Sequence, residues 1–401
     1  MSPPRAALML DELLEEILFR LPPNDPSNLV RAALVCKRWC RLVSDPGFRR
    51  RFREFHRMPP MLGFFWQGLT FVQTAPSCPP FATRRRDLYV DDARHGRVLL
   101  HNTRPWDLGG DYMEDAFVVW DPITGEQREL PPLPVSMRAR KATVVCAAGA
   151  ASLDGVGCDH LNCHGGPFLV VSVGCRSPLE ISTFVYSSEA GAWSEAISGR
   201  HHLHNSVLWI SSVLVRNTLY FALRYDNKIM EFNLGTRQMS TTICLPPLPS
   251  LVSTVLMNTE AGGLGLATTV GTRLYLWSRE AAGPAGGHEG WAQTRVVELG
   301  TILPAITSHP EYLGVVAAAV TVIFLRTYDG VFAFDLNSCQ ATLVCKRIDQ
   351  ISDIICPYMS FYTPRYNESH DSTTSLLTVS LKIFRLSTIS VSKHDIMNDA
   401  N

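Results

Sequence analysis

Four side chains of the kind that bind transition metals lie in one short, glycine-bounded stretch, GCDHLNCHGG: Cys158, His160, Cys163 and His164. A structural zinc site needs four thiolate or imidazole ligands that converge on one point, usually including two cysteines with about two to four residues between them. Cys158 and Cys163 stand at the edge of that range, and the adjacent Cys163 and His164 rarely both point at one ion. The spacing favours a surface loop, so we predict no metal and no other cofactor.

Two basic runs concentrate positive charge: RRRFREFHR from Arg49 to Arg57, and TRRR from Thr83 to Arg86. Such runs contact acidic partners or serve nuclear import. The first run also fits the solvated face of a helix whose buried side carries Phe48, Phe52 and Phe55. Lys+Arg and Asp+Glu both number 37 and cancel, so we predict no specific nucleic-acid binding.

Motifs of the common enzyme classes do not occur in the sequence. It has no Gly-x-Ser-x-Gly elbow, no phosphate-binding loop and no His-Glu-x-x-His helix. Some folds assemble catalytic sites from distant loops, so a hydrolase or a sugar-binding protein stays open as an alternative. Our prediction is that the chain is not an enzyme.

Composition indicates a protein with a sizeable core. The chain has 401 residues, of which 46% are hydrophobic and 18% charged, and this length allows two or three domains. The start, MSPPRAALML, lacks the pattern of a secretory signal. The most apolar run, Leu313–Leu325, is shorter than the roughly 20 residues that cross a bilayer. We therefore expect no membrane partner, reduced cysteines, and a cytoplasmic or nuclear location, or both.

The first sixty residues, here called the helical head, carry three helical signals. In LDELLEEILFRLPP the apolar residues follow the helical period, and Pro22 with Pro23 ends the helix; they are Leu10, Leu13, Leu14, Ile17, Leu18 and Leu21. Asp25 and Asp45 are predicted to cap the next two helices, each followed by a proline suited to the first helical position.

The apolar stripes of these helices are wider than a three-helix core needs. A unit of this size is marginal by itself, and surplus apolar surface on it indicates a partner helix or groove. Periodicity alone leaves open a second interpretation, in which the surplus packs on the chain's own β-part. The chain would then be an interaction scaffold whose helical head packs on its own β-part.

The stretch LMLDELLEEILFRLPPNDPSNLVRAALVCKRWCRLVSDPGFRRRF closely resembles an F-box. F-boxes bind the Skp1 adaptor and so join a cullin–RING ubiquitin ligase. Where the family usually begins its first helix with Leu-Pro, this chain has Met9-Leu10. The resemblance implies that the shared core and adaptor surface comprise Met9, Leu10, Leu13, Leu14, Ile17, Leu18, Leu21, Pro22, Leu34, Val35, Cys36 and Trp39.

From about Met61 the sequence changes to short strand-like runs separated by turn residues. In the clearest unit, AFVVWDPITGEQRELPPLP, Phe117–Trp120 reads as a strand and Asp121–Gly125 as a turn. Looser copies recur, and their equivalent aromatic positions lie about 66, 46, 45 and 57 residues apart: Trp120, Tyr186, Phe232, Trp277 and Phe334. Two of these steps match the roughly 40–50 residues of a four-stranded propeller blade.

These repeats predict a closed β-propeller, which removes free strand edges by radial repetition. Six blades fit the available length best, and seven is the alternative. The predicted innermost strands are GRVLLHN, FLVVSVG, SVLVRNTLYFAL, GLGLATTV and VTVIFLRT. The unit VWDPITGEQRELPPLP is similar to the F-box-associated propellers of plants, and GCDHLNCHGGPFLVVSVG resembles the large grass F-box family.

The predicted fold class is therefore multidomain α + β, with a three-helix F-box followed by an all-β propeller. The predicted limits are 5–57 for the F-box, 60–365 for the propeller and 366–401 for a loosely ordered tail. The resemblance implies a substrate receptor of an SCF-type ubiquitin ligase, which binds a Skp1-type adaptor, through it a cullin, and an unknown protein target. The sequence does not identify that target.

Overall fold

The computed structural model describes residues 5–66, 69–74, 88–102, 116–150, 158–177, 180–200, 209–223, 228–246, 253–280, 290–303, 306, 308–346 and 355–364. The chain divides into two compact units. The described part of the first comprises residues 5–63, 73–74 and 359–364, and the second contains the intervening β-rich chain. The predicted tail 366–401 lies outside the described residues, and the predicted domain limits stay predictions.

The helical head contains four short helices. Their bounds are α1 Arg5–Phe19, α2 Ser27–Val35, α3 Lys37–Ser44 and α4 Pro46–His56. The second of the three predicted helices is thus divided in two at Cys36, whose backbone is extended with φ −161° and ψ 166°. No glycine or proline marks this break, which is why the sequence pattern did not indicate it.

Aromatic packing forms the core of the head. The ring of Phe19 stacks on that of Phe48 with centroids 5.2 Å apart. Phe52 also meets Phe361, which lies outside the head but in the same compact unit, edge to face at 6.3 Å. Phe48 and Phe52 are fully buried, as predicted, whereas Phe55 is 53% exposed, so its predicted burial was wrong. Phe55 lies in the last turn of α4, where its ring stacks on that of Phe19 with centroids 6.1 Å apart but stays open to solvent on its other side.

Asp45 caps α4 as the sequence indicates, with Pro46 at the first helical position. Its Oδ1 accepts a hydrogen bond from the Phe48 amide at 2.9 Å.

We expect Asp45→Ala to lower the free energy of unfolding by about 1 kcal/mol, because one amide at the helix start loses its acceptor. Urea unfolding of the full chain measures this change. Asp45→Asn keeps the acceptor and is expected to lose less than half as much; equal losses in the two variants would contradict the capping role.

The β-rich unit is a six-bladed β-propeller. In the first blade the strands are β3 Tyr89–Arg94, β4 Arg97–His101, β5 Phe117–Trp120 and β6 Gln127–Glu129. The second comprises β7 Arg138–Cys146, β8 Phe168–Ser177, β9 Glu180–Ser187 and β10 Ala192–Trp193, with β11 Ile197–Arg200 also paired to β9.

The remaining blades continue in chain order. The third comprises β12 Trp209–Val215, β13 Thr218–Leu223, β14 Lys228–Asn233 and β15 Gln238–Cys244. The fourth comprises β16 Thr254–Asn258, β17 Leu264–Val270, β18 Arg273–Glu280 and β19 Gly290–Glu298. The fifth comprises β20 Gly314–Ala318, β21 Val322–Arg326, β22 Gly330–Asp335 and β23 Ala341–Lys346.

The sixth blade closes the ring with strands from both ends of the β-region. Its order is β2 Thr70–Gln73, β1 Met61–Trp66 and β24 Ile355–Met359. Because the last strand of the region pairs with the first, neither end of the propeller is left as an open edge. This confirms the predicted propeller and decides its blade number as six.

All five aromatic positions used to align the repeats lie on the third strand of their blades. In three blades an acidic or amide side chain, at the end of that strand or directly after it, accepts hydrogen bonds from the amides two and three residues further on. These residues are Asp121 in the first blade, Asn233 in the third and Asp335 in the fifth. In the first, Gly125 then takes a φ of +77°, which favours glycine. The turn predicted at Asp121–Gly125 is confirmed.

The innermost strands were predicted wrongly. The first strands of neighbouring blades lie against one another, β3 against β7, β12 against β16, and β16 against β20, so the first strands are innermost. GRVLLHN, FLVVSVG, GLGLATTV and VTVIFLRT fall on second strands, and SVLVRNTLYFAL spans the first and second strands of blade three. In blade one the second strand β4 is the more apolar, because the inner strand β3 carries the buried polar side chains of Asp91 and Asp92.

A buried network of charged groups joins the inner strands of blades one and two. Asp91 on β3 lies 3.3 Å from the Lys141 Nζ on β7, and its Oδ2 is 3.6 Å from the Arg140 Nη1. The neighbouring Asp92 accepts hydrogen bonds from the Thr143 hydroxyl and from the Val144 amide.

The same network reaches blade three. Arg94 pairs with Asp92 at 2.9 Å and donates to the Ser212 hydroxyl of β12 at 3.0 Å. Hydrogen-bonded partners are what make buried charges tolerable. The network therefore fixes three blades against one another by specific polar contacts.

Candidate functional site

The helical head presents apolar side chains to solvent. Leu13 and Ile17, one turn apart on α1, are 64% and 62% exposed, and Val35 at the end of α2 is 63% exposed. Leu34 is 37% exposed. Large exposed apolar side chains grouped on one small unit are typical of a surface that another protein covers.

Two ion pairs bring the elements that carry these residues together. Asp11 of α1 pairs with Arg38 of α3 at 2.7 Å, which places the middle of α1 beside the first turn of α3. Glu15 of α1 pairs with Arg51 of α4, with Oε1 2.7 Å from Nη2. Leu13 and Ile17 each lie two residues after one of these carboxylates, a step of about 200° around a helix. The two ion pairs therefore hold the opposite face of α1 against α3 and α4, and the face with Leu13 and Ile17 stays open to solvent.

The other predicted site residues divide by burial. Pro22 and Cys36 are exposed, and Leu14, Leu21 and Trp39 are half-buried. Leu18 is only 2% exposed, so it supports the head from inside and does not offer a contact surface. Met9 and Leu10 lie on α1, but their side chains are outside the described part of the structure.

Within the described residues, no helix is long and apolar enough to cross a membrane. No disulfide joins any of the ten described cysteines.

The metal-binding residue types noted in the sequence come together only in part. Cys158, His160 and Cys163 lie close to one another and to Cys146, the last residue of β7, whereas His164 does not belong to this group. Sequence spacing could not indicate Cys146, because it stands twelve positions before Cys158. It also follows Val144 and Val145 at the end of β7 and is buried, so it resembles a core residue.

Comparison with known proteins supports the F-box interpretation of the head. Residues 9–51 match the family model of the F-box domain. That range contains α2 and α3 together with parts of α1 and α4, and it includes every predicted adaptor-contact residue.

A wider similarity reaches into the propeller. Over 225 residues the chain is 27% identical to a protein of Arabidopsis thaliana named as an F-box protein. The match covers 52% of this chain and 58% of the relative, so the chain spans little more than half the length of that curated relative.

Proposed function

We propose that the chain is a substrate-receptor subunit of an SCF-type cullin–RING ubiquitin ligase. The F-box would bind a Skp1-type adaptor, and through it the cullin, while the propeller would bind a protein target. One observation supports this proposal most strongly. Residues 9–51 match the F-box domain, and within that same segment the apolar side chains of Leu13, Ile17 and Val35 are each more than half exposed.

The proposed adaptor contacts follow from exposure. Leu13, Ile17, Leu34, Val35, Cys36 and Pro22 would contact the adaptor directly. Leu14, Leu21 and Trp39, which are half-buried, would contribute the edges of their side chains, and Met9 and Leu10 would extend the surface along α1. Leu18 would hold the exposed face in shape from beneath. Burial of these apolar groups against another helix drives association of this kind.

In this proposal the chain performs no chemistry of its own. Holding a target on the propeller, in one assembly with a ubiquitin-charged enzyme, raises the effective concentration of target lysines near that enzyme. A location in the cytoplasm or the nucleus, or in both, goes with this role, as does membership of the large grass F-box family with its associated propeller. The proposed partners include no nucleic acid and no membrane.

The proposal predicts assembly with a cullin. Purified full chain, Skp1-type adaptor and cullin are expected to elute together in size-exclusion chromatography. The cullin is expected to separate from the chain when the adaptor is omitted. An adaptor–chain complex that excludes the cullin would favour the scaffold alternative, and failure of any complex would remove the ligase role altogether.

A further inference from the structure

Three thiols and one imidazole converge beside the second blade. Cys146, Cys158, His160 and Cys163 each offer one ligand atom, and the four atoms all lie within 4.8 Å of one another. The sulfur atoms of Cys146 and Cys158 are 3.8 Å apart. The sulfur of Cys163 lies 3.7 Å from Nδ1 of His160.

The Cys146–Cys158 and Cys163–His160 distances match those of a tetrahedral zinc centre. With Zn–S bonds of about 2.3 Å and a Zn–N bond of about 2.0–2.1 Å, tetrahedral geometry puts two sulfurs about 3.8 Å apart and a sulfur and a nitrogen about 3.6 Å apart. Both measured pairs agree with this geometry to within about 0.1 Å. We propose that Cys146, Cys158, His160 and Cys163 bind one Zn²⁺ ion as a structural Cys₃His site.

The ligand types select the metal. Three sulfurs and a nitrogen suit a borderline-soft ion in tetrahedral coordination, whereas Mg²⁺ and Ca²⁺ require sets of oxygen ligands. All four positions of a tetrahedron would be filled by protein, with none left for water or substrate. A closed set of this kind is typical of structural and not of catalytic zinc.

Neighbouring side chains hold the ligands in place. The ring of His95, in the turn between β3 and β4, stacks on the ring of His160 with centroids 4.0 Å apart and planes 7° from parallel. Arg97 of β4 donates from Nη2 to the carbonyl oxygens of Cys163, at 2.7 Å, and Gly166, at 2.5 Å. Such outer contacts orient metal ligands.

Arg97 also suits the charge of the proposed centre. Three thiolates and one dication leave one net negative charge, and Arg97 is a guanidinium that is only 3% exposed. Its Nη1 has no hydrogen-bond partner among the described residues. A cation at this position would offset the net charge of the zinc centre, which buried charges require.

The backbone of the ligand segment is shaped for convergence. His160 has a φ of +58°, a left-handed conformation that non-glycine residues adopt rarely and often at functional sites. In this conformation its amide donates to the sulfur of Cys158 at 3.4 Å. Cys163 begins a short 3₁₀ turn, Cys163–Gly165. The ion would tie this segment to the end of β7 and so fix part of the β7–β8 connection.

The zinc content of the purified chain tests this proposal. The 401-residue chain, expressed with zinc in the medium and purified under reducing conditions, is expected to contain about one zinc per chain by elemental mass spectrometry. Cys158→Ser, Cys163→Ser and His160→Ala are each expected to lower zinc affinity by more than the roughly 10–100-fold that loss of an outer-shell partner costs.

Two matched controls separate this site from adventitious binding. His164→Asn removes the neighbouring imidazole, and Cys244→Ser removes an exposed thiol of blade three; both are expected to keep the full zinc content. Equal zinc loss in ligand and control variants would overturn the proposal. So would wild-type protein with less than about a tenth of an equivalent of zinc.

A second measurement does not depend on the folding of variants. Wild-type chain stripped by a chelator and titrated with Co²⁺ is expected to show intense tetrahedral absorption with thiolate charge-transfer bands, saturating at one equivalent and reversed by zinc. An octahedral spectrum, or no binding, would contradict the assignment. A Cys146–Cys158 disulfide in the protein purified without reductant or chelator, detected by peptide mapping, would overturn it as well.

Discussion

The double variant Leu13→Asp/Ile17→Asp is expected to lose adaptor binding by at least about 100-fold. Central apolar contacts of an interface each contribute about 2 kcal/mol or more, and about 1.4 kcal/mol corresponds to tenfold in affinity. The aspartates would also leave unpaired charges in the interface, which adds to the loss. Isothermal titration of the purified variant with a Skp1-type adaptor measures the change.

Exposure makes this test specific for binding. Leu13 and Ile17 are 64% and 62% exposed, so charged replacements there leave the core of the head in place, and the circular dichroism melting curve is expected to match wild type. A corresponding change at Leu18, which is 2% exposed, would disturb folding and would not be informative.

A matched control places the same charges on the propeller. Val296→Asp/Leu343→Asp replaces two apolar side chains that are 43% and 41% exposed, and it is expected to keep adaptor affinity within about twofold. If the Leu13/Ile17 variant also stayed within that range, the proposed contact face would be wrong. If both variants lost binding equally, the effect would not be specific to the head.

Asp91→Asn is expected to lower the free energy of unfolding by about 3 kcal/mol. The substitution keeps the shape of the side chain but leaves the buried ammonium of Lys141, 3.3 Å away, without its nearest carboxylate. Removal of one member of a buried pair typically costs about 3–5 kcal/mol, because the remaining charge is uncompensated. Denaturant unfolding followed by tryptophan fluorescence measures this loss.

The double variant Asp91→Asn/Lys141→Met is the control for this prediction. It removes both charges, so it is expected to recover at least half of the lost stability. If Asp91→Asn alone cost less than about 0.5 kcal/mol, as an exposed pair would, the network would not contribute as proposed.

The loss of stability in the single variant Asp91→Asn is expected to depend on pH. Burial alone would raise the pKa of Asp91, but Lys141, His101 and Arg140 outweigh it and the pKa lies below its ordinary value. The stability contributed by this carboxylate is therefore present above its unfolded pKa of about 3.9 and is lost as the pH falls below that value. We expect the stability difference between wild type and Asp91→Asn to shrink below about pH 4; a constant difference would contradict the pKa shift.

The contribution of Lys141 to stability is lost at high pH. Burial lowers its pKa, but Asp91, Cys356 and Asp92 outweigh that effect and the pKa is raised. Its contribution is fully present below the ordinary lysine pKa of about 10.4 and is lost only as the pH rises through the higher folded value. Between these limits the pair is charged in the native state.

Local signals in the sequence predict much of this fold. Apolar spacing and proline positions indicate α1, the Asp45 cap fixes the start of α4, and aromatic residues such as Trp120 and Phe334 mark the third strands of blades. Each signal lies within a few residues of the element it defines. That is why the short helices and the propeller could be predicted without coordinates.

Features that depend on distant residues could not be predicted. Asp91 and Lys141 are fifty positions apart, and only the packing of blade one on blade two makes them a pair. Cys146 likewise lies beside Cys158 only through the geometry of the second blade, whereas the sequence places His164 next to the other ligand types. The extended backbone of Cys36 has no glycine or proline to mark it, and the tertiary fold of the head decides it.

The affinity of the wild-type chain for a purified Skp1-type adaptor is the most direct test of the proposed function. Titration of one into the other at physiological salt is expected to give a one-to-one complex with a submicromolar dissociation constant, with Leu13 and Ile17 of the chain protected from solvent in it. Absence of a complex at micromolar concentrations of both proteins would contradict the account, because the exposed apolar face of the head would then have no such partner.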